Sequence, residues 1–282
     1  VSDGTQRTLQ AVVVIYRCQP HESLALRGLL SAIHANPTFA ASVRVLIYDN
    51  SPQAADVPPL QAEYVHDANN GGLLAAYTRA LHQAESNGCD WLLLLDQDTQ
   101  VTPEFLQMQL QMADALAARP DVAACVPKLR SEGRLVSPHG PLGLRQKPLA
   151  DGFTGETPPG TTAFNSGAMI RRAALQAIGG FPAGYWLDFL DHATFARLAR
   201  AGYRTWVLSA VLEHAMTWED PAKHMSIERF ENVLQAELRF HKEYGNAASQ
   251  LAFRAKCLRR WWQYRSWSDT RYAEVCWRTV LS

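Results

Sequence analysis

The segment Trp91-Leu92-Leu93-Leu94-Leu95-Asp96-Gln97-Asp98-Thr99 joins five uninterrupted large apolar residues to two carboxylates and a hydroxyl. A short apolar run stopped by a polar cluster reads as a strand buried on both faces. Helical patterns flank it. Asn69-Asn70-Gly71-Gly72 opens one that runs to about residue 85. Thr102-Pro103-Glu104 starts the next, with Thr as N-cap and Pro in the first turn.

The same alternation extends outward. Further buried strands are read at 11–16, 43–48, 63–66 and 122–126, and a helix at 22–35 carries Leu26, Leu29, Leu30 and Ile33 at helical spacing. Strands alternating with helices imply βαβ units and a mainly parallel, Rossmann-like α/β sheet. Ligands of such sheets bind outside the carboxyl ends of the strands, so the polar clusters after Tyr48, His66 and Leu95 should converge on one crevice.

From about residue 127 the rhythm changes. Residues 131–162 are Gly- and Pro-rich and read as hairpins and loops. Then follow an extended stretch at 163–170, a short helix at 171–178, a helix at 189–201 stopped by Gly202, and short strands at 203–208 and 211–213. Amphipathic helices are read at 226–244 and about 251–267. The expected organisation is a nucleotide-sugar-binding half at 1–130, an acceptor-side half of the same domain at 131–220, and C-terminal helices at 221–282.

Composition narrows the classes. With 282 residues, 47% hydrophobic and 19% charged, the chain can build a core, which excludes general disorder. Its 27 basic and 27 acidic residues cancel, which argues against a nucleic-acid partner bound through bulk charge. No apolar run approaches the roughly 20 residues of a membrane span. No basic-then-apolar leader opens the sequence, so a cytoplasmic location is expected. Five scattered cysteines without a CxxC read as reduced thiols. Residues 251–282 stand apart, with seven Lys/Arg against two Asp/Glu, a net of +5, and four of the eight tryptophans.

Asp96-Gln97-Asp98 is the sharpest chemical feature. Two carboxylates at the end of a buried strand repel each other, and a divalent cation such as Mg²⁺ or Mn²⁺ resolves the conflict; the plain alternative is a polar turn capped by Asp98 or Thr99. Asp49 could accept a hydrogen bond from a nucleobase, or simply form an Asx-turn. Asn70 and Gly72 could bring backbone N–H groups to a ligand at a helix N-terminus, or form an ordinary βα loop. There is no GxGxxG and no P-loop lysine. Asp188 and Asp191, three apart on one helix face, are candidate general bases, with helix charge complementarity as the alternative for one of them. His214, taken alone, is better read as structural.

Taken in order, Val12-Val13-Val14-Ile15-Tyr16, Asp49-Asn50-Ser51, Asn70-Gly71-Gly72, Leu95-Asp96-Gln97-Asp98, Asn165-Ser166-Gly167, Asp188-Phe189-Leu190-Asp191, Arg197 to Tyr203 and His214 resemble family 2 of the glycosyltransferases. These are inverting nucleotide-sugar enzymes of the GT-A fold, and the resemblance covers about residues 10–220. The Asp-x-x-Asp and Asp-Gln-Asp forms look most like the bacterial rhamnosyltransferase branch, which is related to galactofuranosyltransferases.

The resemblance implies a role at each position. Val14, Tyr16, Asn70 and Gly72 would line the nucleotide-sugar site, Asp49 would read the base, and Asp96 and Asp98 would hold the ribose and the metal-bound diphosphate. Ser166 and Gly167 would face the donor sugar. Asp191 would deprotonate the acceptor hydroxyl and Asp188 would support it or bind acceptor, with Trp186 and His192 on the acceptor side. His214 would join Asp98 as a metal ligand, reversing the reading of that histidine taken alone. Three positions depart from the family: Arg17-Cys18-Gln19-Pro20 replaces an early Asn-Pro, an Asn near Thr78 is missing, and His192 follows the catalytic acid in place of Glu or Asp.

The expected activity is therefore transfer of a sugar, L-rhamnose from dTDP-rhamnose being the specific expectation, to a hydroxyl of a cell-surface glycan or its lipid-linked precursor. A galactofuranosyl or other hexosyl transferase, a non-catalytic sugar-binding module and a nucleotidyltransferase are the alternatives. The last would normally show an N-terminal Gly-rich loop, and 14–21 has no glycine. The basic, aromatic tail is expected either to touch an anionic membrane surface or to pack on the body or a second copy.

Overall fold

The computed structural model describes residues 8–56, 61–141, 146–214 and 225–282. The boundary expected at 220/221 lies outside the described residues, as do residues 1–7, on which the reading of the chain's start rests.

The elements run β1 (Leu9–Ile15), α1 (Leu24–Ala35), α2 (Pro37–Ser42), β2 (Val43–Asp49), β3 (Glu63–His66), α3 (Gly72–Ser86), β4 (Trp91–Asp96), α4 (Pro103–Ala115) and β5 (Val122–Ser131). Then come β6 (Arg134–Ser137), β7 (Gly155–Glu156), β8 (Met169–Arg171), α5 (Arg172–Ala177), α6 (Leu190–Arg200), β9 (Arg204–Glu213), α7 (Ile227–Tyr244), α8 (Ala247–Tyr264) and α9 (Arg271–Leu281). The described strands form one mixed sheet in the order β3-β2-β1-β4-β8-β5-β9-β7, with β6 paired to β5. β3, β2, β1 and β4 are mutually parallel, and so are β5 and β9; β8 runs antiparallel between β4 and β5. This is the α/β architecture the sequence implies.

The strands lack polar alternation because both faces are covered. Val12, Val14, Leu92 and Leu94 pack with Ala76, Tyr77 and Ala80 of α3. Their neighbours Val13, Ile15, Leu93 and Leu95 pack on the other face with Leu26 and Leu29 of α1 and Phe105 and Leu106 of α4. Helix starts follow local chemistry: Ser23 accepts from the Leu26 N–H, and Thr102, followed by Pro103, accepts from the Phe105 N–H.

From β1 the chain lays β2 and β3 on one side, then crosses to place β4 on the other. The crevice above β1 and β4 is the topological switch point where ligands of open α/β sheets bind.

Three elements differ from the sequence reading, the first being the short helix α2, which Asn36 caps and Pro37 opens where no element was read. Residues 203–208 and 211–213 belong to one strand, β9, whose register against β5 slips between the Val126–Val207 and Lys128–Val211 pairs. An irregularity absorbs Ser209-Ala210 without ending the ladder. The tail also holds a third helix, α9, which joins α7 and α8 in a separate core built on Phe230, Leu234, Phe253, Cys257, Tyr272 and Cys276. α7 links that core to the sheet domain, since Phe240 packs into the α3 side of the main core. All five cysteines are free, four of them buried. No helix among the described residues is long and apolar enough to cross a membrane.

Candidate active site

The loop after β4 carries the acidic pair. The Asp96 N–H donates to Thr99 Oγ1 at 3.1 Å and the Thr99 N–H to the Asp96 carbonyl at 3.0 Å, closing a tight turn. Gln97 points the other way and locks this turn to the loop after β1. Its Oε1 accepts from the Tyr16 N–H at 2.8 Å, and its carbonyl accepts from Ser23 Oγ at 2.9 Å. The polar-turn reading of the segment and the metal reading are thus compatible: Thr99 closes the turn and leaves the carboxylates projecting.

Asp96, Asp98 and His214 come together, with one potential ligand atom of each lying within 4.8 Å of the others. His214 follows the last residue of β9, and its N–H donates to the Arg130 carbonyl at 2.8 Å. The Ser166 hydroxyl bridges the group, donating to Asp96 Oδ2 and lying 3.3 Å from His214 Nδ1. Burial raises the Asp96 carboxyl above its ordinary range; the Ser166 bond opposes this, and the charges of Asp98 and Asp191 add to it. Two carboxylates and an imidazole, one of the acids held unfavourably for its charge, suit a divalent cation with oxygen-rich coordination. Tyr77 OH and Asn165 Oδ1 are buried in the same region, near each other but without a well-formed hydrogen bond, and the charges of both Asp96 and Asp191 act on Tyr77. Buried polar groups satisfied this poorly leave room for a bond to a ligand or ordered water.

Asp191 opens α6. Its Oδ1 accepts from the His192 N–H at 2.6 Å, and burial pushes its carboxyl up to about 7. A carboxylate has about four lone-pair sites, so this bond leaves capacity for a further proton. Phe189, the N-cap of α6, has φ 60°, a left-handed conformation that strains a bulky residue. Its ring is held against Phe240 of α7 at 5.4 Å.

Asp188 is occupied. Arg229 of α7 grips both its oxygens, Nη1 to Oδ2 at 2.5 Å and Nη2 to Oδ1 at 2.7 Å. Burial raises its carboxyl to about 6 against the pull of Arg229. His192, expected on the acceptor side, sits among Phe164, Phe189 and Phe240 with Nδ1 3.0 Å from Thr162 Oγ1. Burial lowers its imidazole to about 4. In this packed position it is a neutral ring.

On the nucleotide side, Asp49 forms the Asx-turn. Its Oδ1 accepts from the Ser51 N–H at 2.8 Å, and its Oδ2 from Tyr64 OH at 2.7 Å and the Ala55 N–H at 3.0 Å. The residue has no solvent exposure, so a base contact there requires the 51–55 loop to move. That loop and residues Arg17, Cys18, Gln19 and Glu22 surround a cavity of about 490 Å³. Val14 is buried beside Asp96 in the β1–β4 register, whereas Tyr16 is exposed.

Asn70, at φ 52°, accepts from Trp186 Nε1 at 2.8 Å through its carbonyl. Gly72 has φ 71°, and a Cβ there would lie 2.4 Å from the Trp186 carbonyl oxygen, so only glycine fits. Gly71 is the N-cap of α3, and its N–H donates to Asp67 Oδ2 at 2.9 Å. Gly167 donates its N–H to the Leu94 carbonyl at 2.8 Å, seating Ser166 beside Asp96.

Gln97, Tyr77, Asp67 and Arg229 were not distinguishable in the sequence as site residues. Gln97 sits inside the Asp-x-Asp motif, where its type carries no signal, and Arg229 lies 41 residues beyond the acid it holds.

Comparison with known proteins gives the family and the fold. The family model described as "Glycosyl transferase family 2" matches residues 12–179. No curated protein sequence matches the chain. Among solved structures, S. aureus TarS is similar with TM-score 0.54 and 16% identity, over 94% of this chain and 44% of that one. The chain thus spans less than half of that TarS structure. TarS 1-349 in complex with UDP-GlcNAc is similar with TM-score 0.52 and 14% identity, over 98% and 91% of the two chains. The mannosyltransferase PcManGT from Pyrobaculum calidifontis, in complex with GDP-Man and Mn²⁺, gives TM-score 0.51 and 18% identity over 98% and 88%.

Proposed function

Since the chain belongs to glycosyltransferase family 2, we propose that it moves a sugar from a nucleoside diphosphate to a glycan hydroxyl by a single inverting displacement at the crevice above β1 and β4. The observation that carries this is the meeting of Asp96, Asp98 and His214, with Asp191 near enough for its charge to act on Asp96. Asp98 and His214 would hold a divalent cation, Mg²⁺ or Mn²⁺, with Asp96 completing the group. When bound, the cation supplies positive charge to the departing diphosphate.

Asp191 is the base. Its carboxyl, pushed up to about 7, is matched to taking a proton near neutrality. Asp188 positions it, because both Asp188 oxygens are already held by Arg229. Ser166 orients Asp96 and His214. The cavity between the loops after β1 and β2 takes the nucleobase, and Trp186 faces the acceptor.

PcManGT is a mannosyltransferase bound to GDP-Man, and one TarS structure contains UDP-GlcNAc; both ligands are nucleoside-diphosphate sugars. Among such donors the Asp-x-x-Asp and Asp-Gln-Asp forms favour dTDP-L-rhamnose, with a galactofuranosyl donor next. A thermal-shift panel of sugar nucleotides with Mn²⁺ tests this. A ligand at 100 times its Kd stabilises by about 2.7 kcal/mol. Diphosphate release from the stabilising donor supports a transferase; stabilisation with no turnover, alone or with acceptors, points to a sugar-binding module.

The acceptor is a cell-surface glycan or its lipid-linked precursor, met at an anionic membrane surface from the cytoplasmic side. Leu251, Leu258 and Trp262 are exposed along one face of α8, with Arg254 and Arg265 at its edges. Trp261 and Trp267 contribute less to that face, since Trp261 packs against Trp277, and Trp267 against Tyr264 and Tyr272. The full chain should co-sediment with phosphatidylglycerol vesicles at low salt, and Trp262→Ser with Leu258→Ser should weaken this. Indifference to such vesicles removes the membrane contact.

A further inference from the structure

A second cavity, also about 490 Å³, lies between the segment before α6 and helix α7. Gly184, Trp186, Leu187 and Asp188 form one wall, and Asn232, Gln235, Ala236 and Arg239 the other. The helix residues fall at i, i+3, i+4 and i+7, one stripe of α7, opposite the buried Phe230, Val233, Leu234, Glu237, Leu238 and Phe240.

The charged groups around this groove are already neutralised. Asp188 is gripped by Arg229, and Arg239 Nε lies 3.1 Å from Glu243 while its Nη1 donates to the Gly184 carbonyl at 2.8 Å. The free polar groups are the two carboxamides, Asn232 and Gln235, which have no hydrogen bond among the described residues. Each carries both donors and acceptors, as hydroxyl-rich ligands require. Trp186 is 39% exposed, and its indole is fixed by the bond from Nε1 to the Asn70 carbonyl, so a ring is held ready against the groove. Ala236 between the carboxamides leaves the space open. An oriented aromatic ring, two neutral carboxamides and, among the described residues, no unpaired charge fit a polyhydroxylated ring with an apolar face, and suit an anionic ligand poorly.

We propose that this groove holds an uncharged sugar unit of the acceptor, stacked on Trp186 and hydrogen-bonded by Asn232 and Gln235. The assignment rests on the transferase reading above. Asp188 lines the groove three residues before Asp191, just ahead of the left-handed Phe189 that starts α6, and the Asp191 charge acts on it, so a sugar seated here would extend toward the base. In the transfer, the acceptor hydroxyl oxygen bonds to the anomeric carbon and its proton passes to Asp191. The bond from that carbon to the diphosphate breaks, and its electron pair leaves on the nucleoside diphosphate.

The test is a glycan array of neutral hexosides, deoxyhexosides and N-acetylhexosaminides beside uronic acids and sugar phosphates, probed with the full chain. At least one neutral glycan should be retained. For that glycan, Ala236→Trp, which fills the groove, and the double change Asn232→Ala with Gln235→Ala should each weaken binding by tenfold or more. The double change truncates only exposed side chains, so it remains informative if the Trp variant fails to fold. Retention of charged glycans alone, of no neutral glycan, or binding undiminished in the double variant overturns the proposal. Donor hydrolysis without acceptor is measured on the unaltered chain. Groove-dependent glycan binding without any hydrolysis removes the transferase reading and leaves a sugar-binding groove that is no acceptor site; hydrolysis without groove-dependent binding removes the groove alone.

Discussion

Replacing Asp191 by Asn should make the protein more stable and less active at once. Burial holds the Asp191 carboxyl at about 7, against 3.8 for an ordinary aspartate. Between those values the native state keeps a proton that the unfolded chain has released. Native stability contributed by this site therefore falls as pH rises from about 4 to about 7, and is flat above. The full difference corresponds to about 4 kcal/mol. Asp191 is partly exposed at the crevice, so solvent screening reduces this to about 2 kcal/mol. Asn keeps the shape and removes the charge. In a chain of this size about 1 kcal/mol moves Tm by about 2–4 °C. Asp191→Asn should then melt about 4–8 °C above the parent at pH 8 and level with it near pH 4, measured in chelator so that no cation offsets the charge. The same variant should keep donor-induced stabilisation while sugar transfer drops by roughly 10²-fold or more, the usual worth of a general base. A melting difference that does not grow with pH refutes the assigned carboxyl state. Near-normal transfer refutes Asp191 as the base.

Other perturbations separate binding, positioning and packing. Asp98→Ala and His214→Ala should each stay folded and lose metal-dependent diphosphate release; a folded variant with parental activity is not missing an essential ligand. Arg229→Ala leaves Asp188 buried without its partner and should cost about 3 kcal/mol near pH 8, the loss shrinking on acidification through pH 6 as Asp188 takes up a proton. Chemical denaturation at pH 5 and 8 checks this, and Arg229→Lys should recover only part of it because a single ammonium cannot make the bidentate grip.

Most of the chain order of the elements was legible from residue patterns alone, α2 and α9 excepted. Strand β3 falls at 63–66 in both the reading and the structure, and Thr102 caps α4 as its Thr-Pro-Glu sequence requires. The acidic ends of the strands were legible too, because turn-forming Asp and Asn must follow a buried strand at once. These are properties of neighbours in sequence, set by side-chain periodicity and turn chemistry. Beyond that range the sequence is silent on distance. That Asp188 is held by Arg229 across 41 residues, that Gln97 ties two loops together, and that Phe189 keeps its left-handed backbone against Phe240 depend on how α7 packs on the sheet domain. So does the groove beside Trp186: the 232, 235, 236, 239 stripe reads as an ordinary solvated helix face until the fold sets it opposite residues 184–188. Periodicity specifies which face of a helix is polar, but only packing against a distant segment turns that face into one wall of a site.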